Sequence, residues 1–156
     1  MDMKYFMREE LKNDEIVEIP GIELFKDKEG KVIPFQVKVL GTDEVNKIRK
    51  AFSKKRIVMD DKGKRLFDKF GRPVLSDETD TEAATRRLVI DALVYPDLKD
   101  PELMKFFGVN DVMEMPFKLF KNPRDWSYVS NAVAEVLGIN SDETVSDDEL
   151  ISEAKN

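Results

Sequence analysis

This sequence contains no cysteine and no histidine. The first absence excludes disulfides, thiolate nucleophiles and thiolate metal sites, and leaves the redox compartment undetermined. The second removes the commonest general base and the commonest metal ligand. The sequence also lacks a glycine-rich phosphate loop, a G-x-S-x-G elbow, an H-E-x-x-H pair and zinc-type spacing. Carboxylates are plentiful, but none is marked out as an acid/base pair. These absences predict a protein that is not an enzyme, with no catalytic residue, cofactor or metal. Long hydrophobic runs are missing too. The most apolar stretch, Leu88 to Tyr95, is interrupted only by Asp91 and falls far short of the roughly 20 residues that span a bilayer. The opening residues M-D-M-K-Y-F-M-R-E-E hold no apolar segment of signal-peptide length. No membrane association and a cytoplasmic location are the default expectations.

What is present points to a soluble, charge-rich globular chain. Of its 156 residues, 41% are hydrophobic, enough for one domain with a real core, and 37% are charged. The net charge of −6 is unevenly placed: residues 141–156 carry −5, with six acids against Lys155, which leaves −1 for the first 140. The predicted organisation is therefore one domain over 1–140 and an acidic tail over 141–156. That tail is too poor in apolar residues to offset its own ordering entropy and is predicted to be disordered.

The stretch Thr81 to Asp97 reads as the central helix, with Thr81 as N-cap, Glu82 near the positive end and Pro96 as the stop. Apolar residues cover most of its circumference, so it should be surrounded by other elements. Asp91 within it could be a tuned carboxylate, but Arg87 stands four residues before it, and an ion pair along the helix is the simpler reading.

Ahead of this helix, Met3, Phe6 and Met7 could share a helical face. From Glu15 the pattern alternates as a half-buried sheet does, over Ile22 to Leu24 and again over Phe35 to Val39, with an Asp27–Gly30 hairpin loop between. A helix capped by Thr42 follows, with Val45, Ile48 and Phe52 as its apolar stripe. Its later half is basic (Lys47, Arg49, Lys50, Lys54, Lys55, Arg56), read first as a solvated face and second as an anion or nucleic-acid patch. Ile57 to Leu75 reads as a second small β region. Its Asp-Lys turns echo the first hairpin without the regular period of a true repeat. The acidic run Asp77–Asp80 is read as a solvated connection.

Beyond the central helix the signals are helical. Asp100-Pro101 and Asn122-Pro123 each place a capping side chain before proline, and Gly108 and Gly138 can close the helices they open. A further helical segment should run from Pro116 to about Phe120. The fold class is thus α+β: N-terminal antiparallel hairpins or a small sheet, with a mainly helical C-terminal half. Phe106, Phe107, Phe117, Phe120 and Trp126 crowd into this half. Most should be core, and one or two exposed ones would make a partner-binding patch.

The segments I-P-F-Q-V-K (33–38), A-F-S-K-K-R (51–56), L-V-Y-P-D-L (93–98), D-P-E-L (100–103), F-G-V (107–109) and K-N-P-R-D-W (121–126) occur in this order. Together they resemble the XkdN-like tail assembly chaperones of phages with contractile tails and of phage-like elements such as PBSX. Order and spacing carry the resemblance, from about Ile33 to Ile139. The Asp60–Asp80 region is longer than the family pattern, and the acidic tail has no counterpart in it. The resemblance implies a non-enzymatic assembly factor that binds the tape measure protein, assists tail tube protein polymerisation around it, and is absent from the mature particle. It implies work in the bacterial host cytoplasm and leaves homo-oligomerisation open. The alternative from another class is a nucleic-acid-binding module using the basic helix 43–56. The net charge of −6 and the lack of any base-reading motif oppose it, and the reading taken is no nucleic acid.

Overall fold

The computed structural model describes residues 1–139, so the expected disorder of the acidic tail lies outside the described residues. Two short 3-10 turns, Met3–Phe6 and Glu9–Lys12, lead into β1 (Ile16–Ile19) and β2 (Phe35–Lys38). Helix α1 (Thr42–Ala51) is followed by β3 (Ser53–Ile57) and β4 (Leu75–Thr79), and then by α2 (Thr81–Ala92) and β5 (Leu93–Tyr95). The remainder is helical: α3 (Pro101–Phe106), a 3-10 turn at Val112–Glu114, α4 (Met115–Leu119) and α5 (Pro123–Leu137). This is the α+β arrangement expected from the sequence.

Helix α2 is central, as its composition implied. Leu88, Val89, Ile90 and Ala92 are buried, and the helix packs against α1, α4 and α5. Its limits differ from the reading at both ends. Asp80 caps it through a carboxylate that accepts from the Ala83 amide, and Thr81 is already helical. At Leu93 the chain turns extended and pairs antiparallel with β2, so Val94 and Tyr95 lie exposed on an edge strand rather than inside a helix. L-V-Y satisfies either period, and the open edge of β2 decides for the strand. Arg87 and Asp91 do form the expected ion pair, at 3.2 Å, and Lys99 adds a second cation 3.5 Å from Asp91.

The three-stranded sheet has the order β1-β2-β5. Phe35 and Val37 of β2 face the core while Gln36 is exposed, the alternation read from the sequence. The partner of β2 differs from the one expected. Ile16–Ile19 pairs with it, not Ile22–Leu24, which forms a turn instead. The chain turns there at Gly21, where a Cβ would come within 1.8 Å of the Ile33 carbonyl oxygen.

Helix α1 stops at Ala51, so the basic helix 43–56 does not exist as one element. Gly41, rather than Thr42, takes the cap position and makes no side-chain cap. Lys54, Lys55 and Arg56 lie on β3, opposite β4. Lys55 contacts Asp77 at 2.6 Å, and Lys54 and Arg56 each lie 4.0 Å from Glu78. The acidic run read as a connection is therefore mostly strand, and its carboxylates pair at the surface with the cations of its neighbour.

The hairpin turns prove more alike than the irregular period suggested. Residues 25–33, 58–66 and 66–74 share one nine-residue unit, apolar-x-Asp-x-x-Gly-(Lys/Arg)-x-apolar. In each, the Asp carboxylate accepts from the amides two and four residues on, and the glycine has φ between 75° and 81°. The capping aspartate of the second unit is Asp60, one place earlier than the Asp61 turn read from the sequence. Each unit closes through an amide-to-carbonyl bond between its apolar ends, Ile33 to Phe25, Leu66 to Val58 and Val74 to Leu66.

The helical half follows its local signals closely. Asp100 accepts from the Glu102 and Leu103 amides. Asn122 accepts from the Asp125 amide at 2.9 Å and donates to the Asp125 carboxylate at 2.7 Å. Gly138 closes α5 with φ 67°. Val129 and Val133 of α5 are buried against α2.

Candidate partner-binding groove

A groove of about 600 Å³ opens between the β2–β5 edge and α3. Its floor comes from the first nine-residue unit and the sheet: Phe25 and Ile33 are the two ends of that unit, and Phe35 is the first residue of β2. Phe25 and Phe35 pack with Phe120 in a three-ring cluster with centroids 6.0–6.5 Å apart. One wall is Tyr95 and Pro96, where β5 ends. The other is Leu103, Phe106 and Phe107 of α3 and its cap.

The wall is fixed by backbone chemistry. Asp97 accepts from the Lys99 amide, Asp100 starts α3, and Gly108 at φ 64° turns the chain back so that the Val109 amide reaches the Met104 carbonyl. Phe106 and Phe107 therefore project together, with ring centroids 5.0 Å apart and planes at 89°. Phe106 is 80% exposed and Tyr95 52% exposed, an arrangement that is costly in water and suited to covering an apolar partner. The charged lining residues are Asp97, Asp100 and Glu102, all acidic.

Of the five aromatic residues singled out from the sequence, Phe106 and Phe107 line this groove. Phe120 is 1% exposed and lies behind the floor, closed to any partner. Phe117 and Trp126 form a separate edge-to-face pair at 5.4 Å that does not line the groove. The Arg86 guanidinium stacks on the outer ring, 4.9 Å from the Phe117 centroid. The sequence reading missed Tyr95, Pro96, Leu103, Phe25 and Ile33. Tyr95 in the L-V-Y strand pattern was the one available signal, and the helical assignment of that stretch concealed it. Among the described residues no cluster of side chains could hold a metal ion, and no helix is long and apolar enough to cross a membrane.

Comparison with known proteins places the chain in a family. The family described as phage XkdN-like tail assembly chaperone protein (TAC) matches residues 3–155. That match includes the acidic segment for which the sequence reading found no counterpart. The chain is 27% identical over 141 residues to the protein YqbN of Bacillus subtilis (strain 168), covering 90% of this chain and 87% of that one. It is 24% identical over 155 residues to the phage-like element PBSX protein XkdN of the same organism, covering 99% and 94%. The crystal structure of the protein YqbN has the same fold, with a TM-score of 0.68 at 24% identity over 90% of this chain and 98% of that one.

Proposed function

This chain belongs to the XkdN-like phage tail assembly chaperones, and we propose that it binds the tape measure protein through the Phe106–Tyr95 groove. The observation that carries this reading is a ring left 80% exposed on the wall of an apolar trough whose floor is already built. A tape measure chain is long and largely amphipathic. Its apolar stripe must be covered until tail tube subunits enclose it, and a helix laid into a groove is a standard way to do so. The chaperone keeps this client soluble in the host cytoplasm, assists tube polymerisation around it, and leaves before the contractile tail is complete. Binding of this kind uses no catalytic group.

Residues 1–140 form the binding domain in this reading. The acidic segment 141–156 supplies solubilising charge, since it holds −5 of the net −6.

The test is capture of synthetic amphipathic segments of the tape measure protein from the same genetic element, at low and high salt. Burial of apolar surface predicts retention at high salt, whereas binding that salt alone dissolves would reject the groove mechanism.

A further inference from the structure

The largest collection of exposed apolar side chains among the described residues lies outside the groove. Residues 1–12 bury nothing: Met3, Tyr5, Phe6, Met7 and Leu11 are 61–78% exposed. A soluble chain seldom leaves so many large apolar groups together in water without a partner to cover them. We propose that this arm docks into the groove of a second copy of the chain, and that the tape measure client displaces it. The inference rests on the groove being the client site.

Three features select the occupant. The first is charge. Residues 1–12 are neutral as a whole and Arg8 pairs with Glu10 at 2.6 Å, but within the apolar segment Met3–Met7 the one charged side chain is the cation Lys4, while the groove has Asp97, Asp100 and Glu102 on its rim and no cation. The second is shape. In a 3-10 turn residues three apart eclipse, so Met3 and Phe6 form one apolar edge with Met7 beside it. A groove of about 600 Å³ lies within the roughly 300–1,000 Å³ of sites that enclose compact ligands.

The third is topology, which roots the arm at the far end of β2 from its own groove. The Asp14–Lys38 ion pair of 3.6 Å and the Val39 amide on the Glu15 carbonyl hold the exit of the arm at the Lys38 end of β2. The groove sits at the opposite end of that strand, at Phe35 and Ile33. Two copies can exchange arms reciprocally about a twofold axis, filling both grooves. Each chaperone then stores its apolar surfaces on another chaperone until a client arrives.

The absence of cysteine makes the test clean. A single Leu11→Cys substitution, at an exposed position, carries a nitroxide spin label on unlabelled-isotope chains. These are mixed with ¹⁵N chains that bear no label. Arm exchange predicts broadening of the ¹⁵N amides between residues 95 and 107, reduced roughly tenfold when the labelled chain also carries Phe6→Ser and Met7→Ser. Those positions bury nothing, so these substitutions leave the fold intact. Broadening that appears only when label and ¹⁵N share one chain, or that falls elsewhere on the surface, would overturn the proposal.

Adding a synthetic tape measure segment separates this inference from the functional reading. Loss of the broadening supports both. A segment that binds the groove while the broadening persists overturns arm docking. Broadening with no segment binding leaves the arm docked and refutes the client site.

Discussion

Replacing Phe106 by alanine tests the groove with little risk to the fold. The ring is 80% exposed and touches Phe107 as its aromatic neighbour. Of the roughly 150–250 Å² that an aromatic side chain can bury, about 160 Å² remains available to a client. At about 25 cal/mol per Å² this is worth up to ~4 kcal/mol. Fixing the ring costs about 0.5–1.5 kcal/mol, and alanine keeps part of the contact. The net loss should be about 2 kcal/mol, a roughly 30-fold weaker Kd. Exposed substitutions usually change stability by within about 0.5 kcal/mol, so the thermal midpoint should move by no more than a few degrees. Calorimetric titration with a tape measure segment reads the first number, and thermal unfolding reads the second. An affinity within about threefold of the unsubstituted protein, with the fold intact, would refute the groove as the client site.

Three further predictions follow from the fold. Leu93→Ala, at a 2% exposed strand position opposite Val37, should cost about 2–5 kcal/mol in denaturant unfolding; a loss below about 1 kcal/mol would contradict its place in the core. Gly21→Ala should destabilise by roughly 1–3 kcal/mol and weaken client binding, because the new Cβ meets the backbone of groove residue Ile33; unchanged unfolding and affinity would show that this approach relaxes freely. The Asp68 carboxylate accepts from the Arg72 amide, which with the Phe70 amide and the Arg72 guanidinium holds its pKa below the ordinary value against the opposing effect of desolvation. A lowered folded pKa means that its support for the hairpin is present above the unfolded value of about 3.9 and is lost as pH falls through the lower folded one. The Phe70 and Arg72 amide shifts should report a midpoint below that value, and a midpoint at or above it would contradict the hydrogen bonding.

The parts of this fold legible in the sequence are those decided within a few residues. Asp100-Pro101 and Asn122-Pro123 start helices because a side-chain acceptor and a missing amide act locally, and both caps stand where they were read. The Asp-x-x-Gly turns are equally local. What was misread depends on distant partners. Leu93–Tyr95 becomes a strand because β2 offers an unpaired edge, and Ile16–Ile19 rather than Ile22–Leu24 takes the other edge. The supposed basic helix breaks at Ala51, where the Ser53 hydroxyl accepts or donates across to Thr79 and the Asp80 amide reaches the Phe52 carbonyl. The groove was half visible. Phe106 and Phe107 stood out as aromatics, but its floor at Phe25, Ile33 and Phe35 is about 70–80 residues away in the chain, and no local pattern joins the two.

The most direct test of the central claim is co-expression of the tape measure protein with and without this chain. The account predicts that soluble tape measure protein rises when the chain is present, co-purifies with it at low and high salt, and falls back with Phe106→Ala. Tape measure protein that stays equally insoluble in both cultures, with no co-purification, would contradict it.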